Sequence, residues 1–299
     1  MGGWHPELAR RARWLPRYDV GPRLVRATRW IYGAFPAARS DARVEVRRAS
    51  LAGVPSWIYR PRHRAGPLPA LLWLHGGGYV LGTPLQDAAR CRRLAHALGI
   101  VVVAPQYRLA PEHPHPAALD DAYATLVAMA DPATGVGARA DRIAVLGVSA
   151  GGGLAAALAI HTRDRDGPAL VHQSLVYPML DDRTAERTDL DERLVRVWTA
   201  GSNRFAWRAY LRDGSEGAVP ARAASLAGLP PAWIGVGTAD LFHDEDVAYA
   251  ERLRASGVPC TLEVVPGAYH GFDATTPRAE VSRAFLASRD RALREALAR

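Results

Sequence analysis

The sequence contains no lysine, and every one of its 38 basic residues is an arginine. That excludes chemistries needing a side-chain amine, including Schiff bases, pyridoxal anchoring and the P-loop lysine. Cysteine is nearly as scarce. Cys91 falls in a helical pattern and Cys260 at the head of a strand, too few for a disulfide framework. Neither has a base beside it in sequence, so both are expected to be buried thiols. Long apolar runs are missing as well. The longest weakly polar stretch, 146–160, is too short for a bilayer span and carries Ser149 among glycines. The opening "MGGWHPELARRARW" has arginines but no apolar core or small-residue cleavage site, so no secretory signal is read and the expected location is the cytoplasm.

What is present is a chain of 299 residues, 48% hydrophobic and 23% charged, which suits a globular protein with one large core. The net charge is +8, and seven arginines (10, 11, 13, 17, 23, 26, 29) stand against only Glu7 and Asp19 at the N-terminal end. A basic amphipathic helix touching a membrane and a solvated helix face both fit, the second being the plainer. Stable membrane insertion is not expected. No recognition helix, zinc finger or RNA-binding signature accompanies the charge, so nucleic acid is discounted.

Residues 1–36 read as helical, aromatic and basic. Two alternating segments, 42–50 and 54–61, read as antiparallel strands. A regular alternation follows. Strands are expected at 70–75, 100–105, 141–147, 170–178, 232–237 and 260–267. Helices are expected near 84–98, 116–130, 149–162 and 244–256, and from about 277. Near-continuous apolar strands alternating with helices mean a mainly parallel sheet covered on both faces, the α/β class. Residues 179–230 break the rhythm with two polar stretches read as helical, "MLDDRTAERTDLDERLVRVW" and "SNRFAWRAYLR". The expected organisation is therefore 1–40 as N-terminal cap helices, 41–178 and 231–299 as the two parts of the core, and 179–230 as inserted cap helices. Such a cap would cover the carboxyl edge of the sheet, where open α/β sheets bind ligands.

Chemistry gathers at those carboxyl ends. "GVSAGGG" (147–153) follows a strand and opens a helix, the setting of a nucleophile elbow with Ser149 at its apex. A glycine-rich bend with a serine N-cap reads the same way. "HGGG" (75–78) follows the buried strand at 70–75, and a glycine run lets backbone N–H groups approach a developing oxyanion. His75 is expected to pin that loop rather than to act as a base. In "TADLFHDED", Asp240 lies just past a strand end, whereas Asp244 is better placed to cap the next helix, so Asp240 is the candidate carboxylate. Of ten histidines, His270 lies in the loop after the last strand, and His243 sits too close to Asp240. The order Ser149, Asp240, His270 is that of α/β-hydrolases. "HPHP" (113–116) suggests metal, but two histidines between prolines have no third ligand.

Together, "HGGGYVLG", "YRLAPEHPHPAALDD", "GVSAGG", "TADLFHDED" and "YHGF" resemble the hormone-sensitive-lipase family of carboxylesterases, from about residue 70 to 273, and "NRFAWRAYL" agrees within the insertion. The resemblance implies an α/β-hydrolase fold with eight strands, one of them antiparallel, beneath a helical cap. It implies oxyanion donors at Gly77, Gly78 and Ala150 and no cofactor, and members of the family are often homodimers; no metal is expected. Val148 is a departure. The larger subgroup has Asp before the serine and a second has Thr; valine has threonine's shape without its hydroxyl, so the chain leans toward the threonine subgroup. The expected function is hydrolysis of short- to medium-chain acyl esters through an acyl-enzyme. Amide, carbamate or lactone hydrolysis on the same residues, and a non-catalytic ligand receptor, are the alternatives. Trp14, Trp30, Phe35, Trp198, Phe205 and Trp207 are candidates either to wall the acyl pocket or to glue the cap to the core.

Overall fold

A computed structural model describes all residues except 1–2, 16, 18, 190, 213–217 and 299. Its centre is an eight-stranded sheet ordered β1-β2-β4-β3-β5-β6-β7-β8. The strands are β1 (Val44–Leu51), β2 (Val54–Pro61), β3 (Leu68–Leu74), β4 (Val101–Pro105), β5 (Ala138–Val148), β6 (Leu170–Val176), β7 (Ala232–Gly237) and β8 (Cys260–Val265). β2 pairs antiparallel with both β1 and β4, and every later pairing is parallel. One strand thus runs against the rest, as the resemblance implies.

The central strands are buried on both faces, and their alternate side chains enter two separate cores. Leu72 and Leu74 of β3 and Val145 of β5 join the core beneath α4 (Ala117–Ala130), α5 (Ala150–Asp164) and α7 (His243–Ala255). Leu71, Trp73 and Leu146 join the core beneath α3 (Ala88–Leu98) and the C-terminal helix α9 (Glu280–Ala298). The period of two makes each strand serve both layers, which keeps the sheet rigid under its loops.

Two short helices, α1 (Pro6–Trp14) and α2 (Val25–Gly33), begin the described chain, with α6 (Ala200–Leu211) and the four-residue α8 (Phe272–Thr275) placed later. The N-terminal helical stretch is broken between α1 and α2, where Gly21 and Pro22 oppose helix; positions 1, 2, 16 and 18 of it lie outside the described residues. The arm and the insertion grip each other. Trp4 Nε1 donates to Leu194 O at 2.9 Å, Val20 N to Ser202 Oγ at 2.8 Å, and Arg196 Nε to Ala12 O at 2.8 Å.

Among the described residues of the insertion, only the second of the two stretches expected to be helical forms an α-helix, α6. The stretch expected to be helical from 179 to 198 holds one 3-10 turn, Asp182–Glu186, and otherwise irregular chain; Leu190 lies outside the described residues. The reason is local. Asp181 and Asp191 each accept the backbone N–H two residues on, from Arg183 and Arg193, and each pairs with that arginine's side chain. An i,i+2 pair faces opposite sides of a helix but the same side of a turn. α8 was not foreseen, and β5 begins at Ala138 rather than 141. Cys91 is buried, but Cys260 is only half-buried; burial pushes its thiol up to about 11. No helix among the described residues is long and apolar enough to cross a membrane.

Candidate active site

Ser149 sits between β5 and α5 with φ 57° and ψ −121°, a left-handed conformation that strains any residue with a Cβ. Glycines make the turn feasible. A Cβ on Gly147 would strike the Gly151 carbonyl, and one on Gly151 would strike the carbonyls of Leu74 and His75. Backbone bonds from the end of β6 hold the turn. Ser149 N donates to Val176 O at 2.9 Å, and Met179 N donates to Ser149 O at 3.0 Å. The elbow is therefore tied down without a polar side chain at Val148, whose position faces the cavity.

The other two groups arrive from the ends of neighbouring strands. Asp240 follows β7 and His270 follows β8, and β5, β6, β7 and β8 are successive neighbours in the sheet. His270 Nε2 lies 3.0 Å from Ser149 Oγ, and His270 Nδ1 lies 2.8 Å from Asp240 Oδ2. The Asp240 side chain is fully buried and that of His270 nearly so. The carboxylate's other oxygen accepts the Phe242 N–H at 3.1 Å, which fixes its plane. The rings of Tyr177 and Phe242 pack against the imidazole in tilted, edge-to-face contacts, with centroids 4.6 and 5.3 Å away. Asp244, the competing carboxylate, is exposed and pairs with Arg187 and His243.

The glycine loop after β3 lies against the serine. A Cβ built on Gly76 would stand 3.4 Å from Ser149 Cβ and 2.9 Å from the Val148 carbonyl oxygen. Gly77 adopts φ 134° and lines the cavity, while Gly78, at φ 61°, is buried beneath the Trp198 indole. Ala150 opens α5, whose N-terminal N–H groups point toward the turn. None of the three N–H groups has a partner among the described residues. His75 is buried and stacked on Tyr107 at 4.1 Å, with Nδ1 3.0 Å from the Gly76 carbonyl oxygen. Burial pulls its imidazole down to about 4; it is a neutral strut.

A cavity of about 620 Å³ opens over Ser149 and His270. Its walls include Phe35, Trp198, Tyr177 and Val197. Trp14 and Trp30, 81% and 79% exposed, are not among them and stand out from the surface. Trp207 is buried with Tyr79 and Tyr210, and Phe205 packs on the same core.

One part of the site was missed in the sequence. Arg90 reaches the cavity wall and pairs with Asp273 at 2.9 Å and with Asp87 at 3.7 Å. Asp273 accepts the Tyr177 hydroxyl at 2.6 Å, and Asp87 accepts Trp73 Nε1 at 3.1 Å. Burial opposes the charge on Arg90, but the two carboxylates outweigh it and raise its pKa. Burial also raises the Asp87 carboxyl, against the pull of Arg90 and Trp73. The chain is a brace behind Tyr177. Its only sequence signal was an arginine directly before Cys91 and an aspartate three residues earlier, in a stretch that also carries Arg92 and Arg93.

A serine, an imidazole and a buried carboxylate joined at the carboxyl edge of a mostly parallel sheet define a serine hydrolase of the α/β class. The family described as alpha/beta hydrolase fold matches residues 71–274, and the chain belongs to it, on the hormone-sensitive-lipase side that its motifs resemble. It is 40% identical to Esterase LipI of Mycobacterium tuberculosis over 68% of this chain, an alignment spanning 65% of LipI. It is 36% identical to Carboxylesterase NlhH of the same organism over 79% of this chain and 77% of that one. Among solved structures, Bacterial Heroin Esterase superposes with a TM-score of 0.89 at 35% identity, over 98% of both chains.

Proposed function

We propose that the chain is a serine carboxylesterase acting on short- to medium-chain acyl esters through an acyl-enzyme. The observation that carries this is the unbroken contact from Asp240 through His270 to Ser149, opening on a cavity of the size small-molecule sites have. Relatives named esterase and carboxylesterase support it.

Ser149 Oγ attacks the ester carbonyl while His270 Nε2 takes its proton. Asp240 accepts from Nδ1–H, selecting the tautomer with a free Nε2 and stabilising the imidazolium that forms. The N–H groups of Gly77, Gly78 and Ala150 bind the oxyanion where charge develops. His270 then gives its proton to the leaving alcohol. A water activated by the same imidazole releases the acid and restores Ser149.

Residues 1–40 and 179–230 act as one cap. The hydrogen bonds between arm and insertion support this, as does Trp198 lying over Gly78. A cytoplasmic location accords with two unpaired cysteines, and cell fractionation tests it. Turnover of p-nitrophenyl acetate, butyrate, octanoate and palmitate tests the substrate class. The optimum should fall at butyrate to octanoate, and Ser149→Ala should abolish turnover. A palmitate optimum would refute the chain-length reading, and a Ser149→Ala variant retaining most of its turnover would refute the nucleophile.

A further inference from the structure

Apart from Val127, the well-exposed large apolar side chains among the described residues are Trp14, Leu24, Trp30, Ile31, Phe35 and Val197. Their distribution is uneven. All but Val197 belong to the N-terminal arm, and Val197, like Phe35, also lines the mouth of the active-site cavity. Exposed apolar side chains are ordinary when scattered; concentrated in one arm of the chain they mark a contact surface.

α2 shows how the surface is built. Its inward side places Thr28 and Tyr32 on the cavity, and Arg29 anchors it by donating to Val80 O at 2.8 Å and pairing with Glu112 at 2.8 Å. Its outward side, at helical spacing from just before its first turn, carries Arg23, Arg26, Ala27, Trp30 and Ile31, all exposed. α1 is tied to the loop that carries His270, His5 N donating to Gly267 O at 2.9 Å. It presents Arg10, Arg11, Arg13 and Trp14, also exposed. Arg10, Arg11, Arg13 and Arg23 have no ion pair or side-chain hydrogen bond among the described residues. The nearby acids are engaged elsewhere: Asp19 accepts the Thr199 hydroxyl, Glu7 accepts the Glu280 N–H, and Glu112 holds Arg29.

We infer that this face docks on an anionic lipid surface, with Trp30, Ile31 and Trp14 entering the interface and the arginines meeting the headgroups. Amphipathic indoles and aliphatic side chains flanked by unpaired cations fit the headgroup boundary of a membrane. A second copy fits poorly, because a two-fold contact through α2 would gather the arginines of both copies in one interface, and α2 carries no carboxylate to pair with them. Nucleic acid fits poorly as well, since Leu24 and Ile31 set exposed aliphatic surface beside the indoles, which neither a phosphate backbone nor a stacked base would cover. Docked in this way, the cavity mouth at Phe35 and Val197 would face the lipid.

Co-sedimentation of the full chain with vesicles tests this without any turnover, so it stands or fails separately from the esterase reading. The chain should bind vesicles of phosphatidylcholine with phosphatidylglycerol, bind phosphatidylcholine alone far less, and lose binding as salt is raised. Arg23→Gln with Arg26→Gln should weaken binding on the order of tenfold, and Trp30→Ser with Ile31→Ser at least about tenfold. The arginine pair packs against no core, so its variant keeps the test valid if the other misfolds. No binding to anionic vesicles at low salt would overturn the inference. So would binding by both variants as tight as that of the parent, or a serine variant that splits a dimer while vesicle binding is unmoved.

Discussion

Replacing Asp240 by Asn changes one buried atom and should separate catalysis from stability. The carboxylate accepts two hydrogen bonds, from Phe242 N at 3.1 Å and from His270 Nδ1 at 2.8 Å. An amide has one acceptor, so it must choose. If its oxygen turned to His270, its NH₂ would oppose the Phe242 N–H, leaving two buried donors face to face at about 1–3 kcal/mol each. If its oxygen stays on Phe242, the NH₂ donates to His270 Nδ1 and every buried group keeps a partner. The second arrangement wins, and it forces the proton onto Nε2, where the imidazole can no longer accept from Ser149. Turnover of p-nitrophenyl butyrate should fall on the order of 10⁴-fold, about 5 kcal/mol of barrier. The melting temperature should move by only a few degrees, the effect of about 1 kcal/mol. Asp244→Asn, on the exposed pair with Arg187, is the control and should leave turnover intact. An Asp240→Asn variant within about tenfold of the parent would refute the reasoning, because Asp240 would then not be setting the tautomer.

Three further expectations follow from the same structure. A Cβ on Gly78 would enter the Trp198 ring, so Gly78→Ala should cost on the order of 10²–10³ in kcat by displacing an oxyanion donor; adding Trp198→Ala should recover part of it, and no recovery would break the link. Tyr177→Phe removes the hydroxyl that donates to Asp273 and should cost about 1–3 kcal/mol in denaturant unfolding, while the remaining ring keeps kcat within about tenfold; unchanged stability would argue against the brace. Burial, then Glu245 and Asp240, push the Asp246 carboxyl well above its ordinary 3.8. The native state thus holds a proton that the unfolded chain releases above that pH, and stability falls as pH rises toward the native value. Asp246→Asn removes that loss, so its melting-temperature advantage should widen from pH 4 to 8; a gap that narrows would reverse the sign.

The strands, and the three residues Ser149, Asp240 and His270 that the fold brings into contact, were legible in the sequence because each depends on local chemistry. β3 and β4 are short apolar runs that only a doubly covered sheet can bury, and Ser149, Asp240 and His270 lie in the turn or loop that follows the carboxyl end of β5, β7 and β8. The segment 179–198 misled because charged residues at helical density resemble a solvated helix, while the carboxylates of Asp181 and Asp191 were already committed to neighbouring N–H groups. Trp14 and Trp30 misled in another way. Aromatic residues suggest walls, and whether an indole faces a cavity or the outside is set by how the helix docks, which only the folded chain reveals. The brace of Arg90, Asp87 and Asp273 joins residues up to 186 positions apart, a distance at which no motif signals contact.

The most direct measurement is a crystal of the full chain soaked with a p-nitrophenyl alkylphosphonate. The expected result is phosphorus bonded to Ser149 Oγ, the phosphoryl oxygen within hydrogen-bond reach of the Gly77, Gly78 and Ala150 N–H groups, and His270 still bridging Ser149 and Asp240. A phosphonate attached to another side chain, or attached at Ser149 with its oxygen turned away from those three groups, would contradict the assignment.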